Sequence, residues 1–448
     1  MSEAEPGGDE RRLRDRLADL PNLLPRGTGT VGAWLLFTGL VTYGFATVSA
    51  RALGADRYAP LSTLWALSFL VAPGVFLPLE QEVTRAISER RVHGVGSGPV
   101  VRLAAIVGGA AALVLASVAL LAREPLADAL FDGQQVLVVA FALVLVGYWC
   151  DHLTRGVLSS HGRFGSYGMI FGTEGLVRFV AAVVLALIGV EVAGPYGMAV
   201  GLAPFFGTAA AVVRERAHRL VTPGPPARWA ELSANLALLL AGSLLAQTLV
   251  NAGPLVVQGL VDPGDEATTS SFLVGLLVAR VPLYFFQAVQ ASLLPNLSQL
   301  QTAGKRSEAS RALARLVVVV ILLGTAMTMG CAALGPWVVR LVFGEDFVLS
   351  GLDMALLAAG SALVMLALGL AQALVALHRH REVALAWLVG VTVFAVAVLV
   401  GSGVLLRVEI AYVLGAAVAA GGMTLFVWIA ARTGGSAPGR EVVEHARP

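Results

Sequence analysis

Two arginines stand deep inside apolar stretches of this chain. Arg178 lies eleven residues and Arg280 ten residues into runs of mostly apolar residues. Eleven helical residues at about 1.5 Å each reach about 16 Å, near the middle of a hydrocarbon core roughly 30 Å thick. An ionisable group there costs roughly 2.5–3.5 kcal/mol on insertion scales, so it faces a wet interior or an acidic partner. Guanidinium keeps its charge when partly desolvated and grips phosphate through two parallel hydrogen bonds. Two of them at one depth suit a pyrophosphate. Glu174 precedes Arg178 by four residues, and Asp151 precedes Arg155 in the same way, the favourable order for a helical ion pair. For Arg178, a local ion pair and a ligand role stand level. Arg280 has no acid in its own segment, which favours a cavity. Arg102 and Arg155 lie near segment ends and read as snorkelling side chains.

Other polar residues gather near these two. Asn251, Gln247, Gln258, Gln287 and Gln290 give the seventh and eighth apolar segments a polar face, fit to line a sugar-binding cavity or to bond between helices. Glu80, Glu82 and Arg85 fall where the second segment ends. They read either as gating contacts between two halves or, the favoured reading, as a solvated helix end. Pro282 follows Arg280 by two residues and frees backbone carbonyls for a bend. The histidines are scattered, and His378-Arg-His380 reads as a charge cluster, so no metal site is expected. Cys150 and Cys331 read as buried free thiols. The chain has no GxxxxGK[ST] loop, which argues against ATP hydrolysis. No cofactor is expected, and coupling to Na⁺ or H⁺ through Asp151 or Glu174 stays open.

The elements that position these residues are membrane helices. Of 448 residues, 57% are hydrophobic and 13% charged, against roughly 25% charged in soluble domains. A water-facing surface has no use for so much apolar area. The net charge of +2 gives no reason to expect nucleic acid. Runs of roughly twenty apolar residues each make one helical crossing, since unpaired backbone is not tolerated in lipid. They fall at 28–50, 59–79, 100–122, 134–157, 167–190 and 193–213, then at 231–260, 270–294, 316–336, 351–377, 383–403 and 408–431. The seventh run is long enough to include an interfacial turn. The expected fold is all-α, a polytopic membrane protein of about twelve helices.

With the N-terminus inside, cytoplasmic segments hold 23 of the 31 basic residues and the opposite side holds five, Arg51, Arg57, Arg123, Arg340 and Arg407. That bias places both termini in the cytoplasm. Residues 1–27 form a cytoplasmic tail, in which 9–20 reads equally as a short amphipathic surface helix or as a basic tail without structure. No cleavable signal peptide is visible. Residues 432–448 read as a disordered cytoplasmic tail.

The proline-rich segment 214–230 divides the helices into bundles at 28–213 and 231–431. Pro78 and Pro295 lie 217 residues apart, as do His161 and His378, while Pro125 and Pro336 are 211 apart and Phe131 and Phe343 212. Each pair holds the same place in the topology. This argues for a duplicated six-helix unit, parallel because both copies begin on one side. Such repeats commonly enclose a substrate site near the midplane.

Three stretches carry a resemblance: Ala50-Arg-Ala-Leu-Gly-Ala-Asp-Arg-Tyr, Phe76-Leu-Pro-Leu-Glu-Gln-Glu-Val-Thr-Arg and Leu341-Val-Phe-Gly-Glu-Asp-Phe. Over about residues 28–431 the chain resembles the multidrug/oligosaccharidyl-lipid/polysaccharide exporter superfamily, in its polysaccharide-biosynthesis branch of O-antigen-type flippases. It departs at Tyr58-Ala59-Pro60, where a glycine usually follows the aromatic residue. The resemblance implies a V-shaped pair of bundles that alternates between inward- and outward-open states. It also implies a flippase for a polyprenyl-pyrophosphate oligosaccharide in the cytoplasmic membrane, not an enzyme. Its partners would be the bilayer, the lipid-linked glycan and glycan-assembly enzymes. Arg178 and Arg280 would then hold the pyrophosphate. A cation-coupled multidrug exporter is the alternative. A membrane enzyme of glycan assembly is disfavoured by the short outer loops.

Overall fold

A computed structural model of the chain describes residues 28–432, apart from 234–235, 263, 284–285, 287–305, 378 and 402. Gln287, Gln290, Pro295, His378 and both tails lie outside the described residues. The described part is all-α. One helical stretch, Thr28–Val92, is broken at Gly54 into α1 (28–53) and α2 (55–92). After it come α3 (Gly98–Leu121), the short α4 (Arg123–Leu130), α5 (Gln135–Ser160), α6 (Phe164–Leu187) and α7 (Ala193–Glu215). The second part holds α8 (Ala230–Ser233), α9 (Leu236–Gln258), α10 (Glu266–Ala279), α11 (Arg306–Phe343), α12 (Gly351–Ala376), α13 (His380–Val398) and α14 (Val404–Arg432). Ten stretches are long and apolar enough to cross a membrane, and the first of them holds two crossings. The shorter apolar α10 adds a twelfth apolar helix. The interfacial turn expected in the seventh run would involve residues 234–235, which lie outside the described residues.

The expected loop after the first crossing, around residues 51–58, is absent. Gly54 alone makes the turn, at φ 73° and ψ 168°, in the left-handed region that glycine enters without steric cost. The chain doubles back there. Phe45 and Trp65 stack with ring centroids 5.6 Å apart, whereas twenty residues of straight helix would separate them by about 30 Å. The second crossing also outruns its expected end at 79, continuing as helix to Val92.

Within the first part, α1 and α2 pack on α5 and α6, with α3 against α5 and α7 against both α5 and α6. Glycines permit this closeness: a Cβ on Gly207 would meet the Ile170 carbonyl oxygen at 2.8 Å. In the second part, α12 packs on α11 and α14, and α13 on α14 and α9. Gly390 and Gly415 face each other there, the Cβ of either meeting the other's carbonyl oxygen at 2.8 Å.

The two parts meet along α1 and α2 against α9 and α10. Around the Gly54 turn, Arg51 donates through Nε to the Val342 carbonyl at 2.7 Å and through Nη2 to that of Leu341. Ser270 donates to the Ala55 carbonyl at 2.6 Å, and Tyr58 meets Phe347 edge-on at 6.1 Å. At the other end of α2, Arg90 donates to the carbonyls of Gly96 (2.9 Å) and Pro225 (3.1 Å) and pairs with Glu231 at 2.8 Å. The Gly98 amide donates to the Thr222 carbonyl at 2.8 Å. The proline-rich connection therefore lies along the α2–α3 turn, and buried Leu232 packs with Leu79, Val83 and Ile87 of α2.

Candidate functional site

A small cavity of about 60 Å³ opens where α2, α9 and α10 converge. Trp65, Phe69, Pro254, Leu276 and Leu277 form its apolar wall, and Asn251 and Arg280 its polar one. Arg280 stands at the C-terminal end of α10, whose last carbonyls accept its backbone N–H. Cations are favoured at that end of a helix. Its guanidinium donates to Asn251 Oδ1 at 3.2 Å and to the Val250 carbonyl, while Nε is buried without a partner. Asn251 in turn donates to Gln247 Oε1 at 2.9 Å and to the Phe69 carbonyl at 3.2 Å. The polar face of α9 therefore both bonds between helices and lines a cavity, the two uses its sequence left open.

Beside the cavity, the first six-helix part holds a buried charged cluster. On α5, Arg155 pairs with Asp151 at 2.9 Å and reaches Glu80 of α2 at 2.8 Å. Its guanidinium carbon lies 4.4 Å from the Phe171 ring centre and 5.3 Å from that of Tyr167, a cation–π arrangement. Glu80 also bonds His152 Nδ1 at 2.7 Å and accepts from the Tyr167 hydroxyl at 2.9 Å. On α6, Arg178 pairs with Glu174, donates to the Tyr148 hydroxyl at 3.4 Å and lies 5.6 Å from the Trp65 ring centre. Three carboxylates thus face two guanidiniums and one imidazole. One acceptor oxygen each on Asp151 and Glu174, and Nε2 of His152, are buried without partners. Desolvated charge of this kind is tolerated only with partners, and one proton decides whether the cluster is neutral.

The structure corrects two expectations. Arg155 does not snorkel: it is 6% exposed and stacked beneath two aromatic rings, because acids on α2 and α5 offer it better partners than water. Arg102 is exposed on α3. Nor are Glu80 and Glu82 a solvated helix end. At 6% and 3% exposure they are buried, since α2 continues past them and packs on α5. The contacts of Glu80 are to α5 and α6; Glu82 pairs with Arg85 at 2.8 Å, and Arg85 donates to the Glu231 carbonyl at 2.5 Å.

The two deep arginines are not equivalent partners of one ligand site. Arg280 lines the cavity, whereas Arg178 is held by Glu174 behind Trp65, whose ring both settings share. The i,i+4 spacing announced both helical pairs. It offered no sign of His152, Tyr167 or Tyr148, which join the cluster across helices from 30 to 87 residues away, nor of Trp65 and Phe69. Among the described residues, no group of three or more His, Cys, Asp or Glu is placed to hold a metal.

No protein-family model matches the chain. The uncharacterized protein Rv3630 of Mycobacterium tuberculosis is 27% identical over 392 residues, 84% of each chain. An inward-facing multidrug resistance MATE family transporter of the MOP superfamily superposes with a TM-score of 0.69 at 13% identity, over 90% of this chain and 98% of that one. The eukaryotic MATE transporter AtDTX14 gives 0.66 at 13% identity, over 91% and 97%. The chain therefore has a MATE-like fold, and it is a multi-pass membrane protein.

Proposed function

We propose that the chain is a transporter that flips a polyprenyl-pyrophosphate oligosaccharide across the cytoplasmic membrane by alternating access. The carrying observation is Arg280, a cation in a cavity walled by Trp65 and Phe69 where the two parts meet, on a transporter fold. Arginine suits pyrophosphate, and aromatic rings suit the apolar faces of sugars. At about 60 Å³ the cavity admits a few waters and no oligosaccharide. Transport then requires the two parts to separate at one end. Contacts of Arg51, Tyr58 and Ser270 seal the Gly54 end. The basic-residue bias supports an outer position for that end and cytoplasmic termini, with the bundles of 28–213 and 231–431 rocking against each other.

The test is glycan export in a deletion strain. Arg280→Ala is expected to abolish it and Arg280→Lys to restore part of it, while Arg178→Ala acts through the cluster. Intact export in both alanine variants sinks the pyrophosphate reading. A specific observation favours a second reading, a cation-coupled multidrug exporter: the cluster of Asp151, Glu174 and Glu80 has one proton to gain or lose. That reading predicts dye efflux driven by a Na⁺ or H⁺ gradient and lost in Asp151→Asn or Glu174→Gln.

A further inference from the structure

Among the described residues of the second part, Glu409 is a buried acid with no hydrogen-bond donor. Glu409, in the second turn of α14, is 0% exposed, and neither carboxyl oxygen has a partner. The charged group that acts on it is the Asp353 carboxylate, within hydrogen-bonding reach from α12. Asp353 is itself anchored. Its Oδ2 accepts from the Ser350 amide at 2.6 Å, and its own amide donates to the Ser350 hydroxyl at 3.2 Å, a reciprocal cap on α12. The N-terminus of a helix favours an anion, so Asp353 holds the negative charge.

Among the described residues, no basic side chain pairs with Glu409. Of the helices packed on α14, α9 has no titratable residue, and α13 has them only in its first turn, His380, Arg381 and Glu382, at the opposite end. On α12 the only titratable residue is Asp353. On α14 itself, Tyr412 turns its hydroxyl to Ser361 at 3.4 Å, and Arg407, two residues before Glu409, has an Nε without a partner. A buried carboxylate beside a second, half-buried one, with no donor between them, is not a stable arrangement. A proton on Glu409 removes the defect at once, because the neutral carboxyl then donates to Asp353. Among the described residues, no group of three or more His, Cys, Asp or Glu converges here as a calcium site would need, so a proton fits better than a metal ion.

We infer that Glu409 and Asp353 form a proton-sharing carboxyl pair, a protonation site in the second part of the chain separate from the Glu80–Asp151–Glu174 cluster. It sits near the same end as the Gly54 turn, the end sealed by Arg51, and it stands whatever the cargo is.

Infrared pH titration of the full-length protein in lipid nanodiscs tests it without any substrate. The expected result is a protonated-carboxyl carbonyl band at neutral pH that is missing in Glu409→Gln. The band should disappear at lower pH in Asp353→Asn, because the anion that holds the proton in place has gone. Thermal unfolding gives an independent readout. A native group that keeps a proton the unfolded chain releases loses stability as pH rises. Wild type should therefore lose several degrees of melting temperature from neutral to alkaline pH, and Glu409→Gln should lose less. Identical bands and identical slopes in wild type and Glu409→Gln overturn the inference. So does a sodium-dependent rise in melting temperature that Glu409→Gln abolishes, which would make the occupant a metal ion.

Discussion

The two parts of the molecule share a packing method and differ in what they bury. Both bring helices together through glycine, Gly207 against Ile170 in the first and Gly390 against Gly415 in the second. The first then places Glu80, Asp151, Glu174, Arg155, Arg178 and His152 in its interior, tied by ion pairs and by the hydroxyls of Tyr148 and Tyr167. The second buries apolar side chains such as Trp387, Phe394 and Met423 among its helices, together with Glu409. Close packing therefore does not require a charged core in this fold. The cluster in the first part is an addition, retained at the cost of desolvating six ionisable groups.

Variants can break that contrast. The largest effect is expected from Arg155→Met, which strands Glu80 and Asp151 together; removing one partner of a buried pair costs about 3–5 kcal/mol. Thermal unfolding in detergent measures it, and unchanged stability would mean that charge does not hold the first part together. Tyr167→Phe removes a hydroxyl that donates to the Glu80 carboxylate, worth about 1.5–3 kcal/mol for a bond to a charged acceptor. In the second part, Gly390→Ala forces a methyl against the Gly415 carbonyl and Ala419, an overpacking cost of about 1–3 kcal/mol. The same assay should show it as a fall in melting temperature, with the first part unaffected in limited proteolysis. The smallest effect belongs to Arg57→Ala. The Arg57–Glu191 pair has both side chains more than half exposed, and such pairs contribute about 0.2–1 kcal/mol, less at high salt.

Periodicity and local spacing made much of this legible. The apolar runs gave the crossings, and i,i+4 spacing gave Asp151–Arg155 and Glu174–Arg178, because both partners of each pair share a helix. Arg280 without a local acid pointed to a cavity, and Asn251 bonds to it there. What the sequence concealed is contact between helices. Glu80 is an ordinary acid at a helix end until α5 brings His152 and Arg155 to it. Position near a segment end misled for Arg155, which is held inside by Glu80 of α2 and by rings from α6. Glu409 did leave a trace, an acid in an otherwise apolar segment, but its isolation shows only once α12 and α14 are packed. Gly54 was visible as a glycine among charges, yet nothing in the pattern said that one residue would replace a loop.

That one-residue turn has a consequence for how the two helices can move. With a single residue between them, α1 and α2 have no slack to slide past one another, so any tilt of one is passed to the other. Arg51, Asp56 and Arg57 at the tip of the hairpin move with it as one piece.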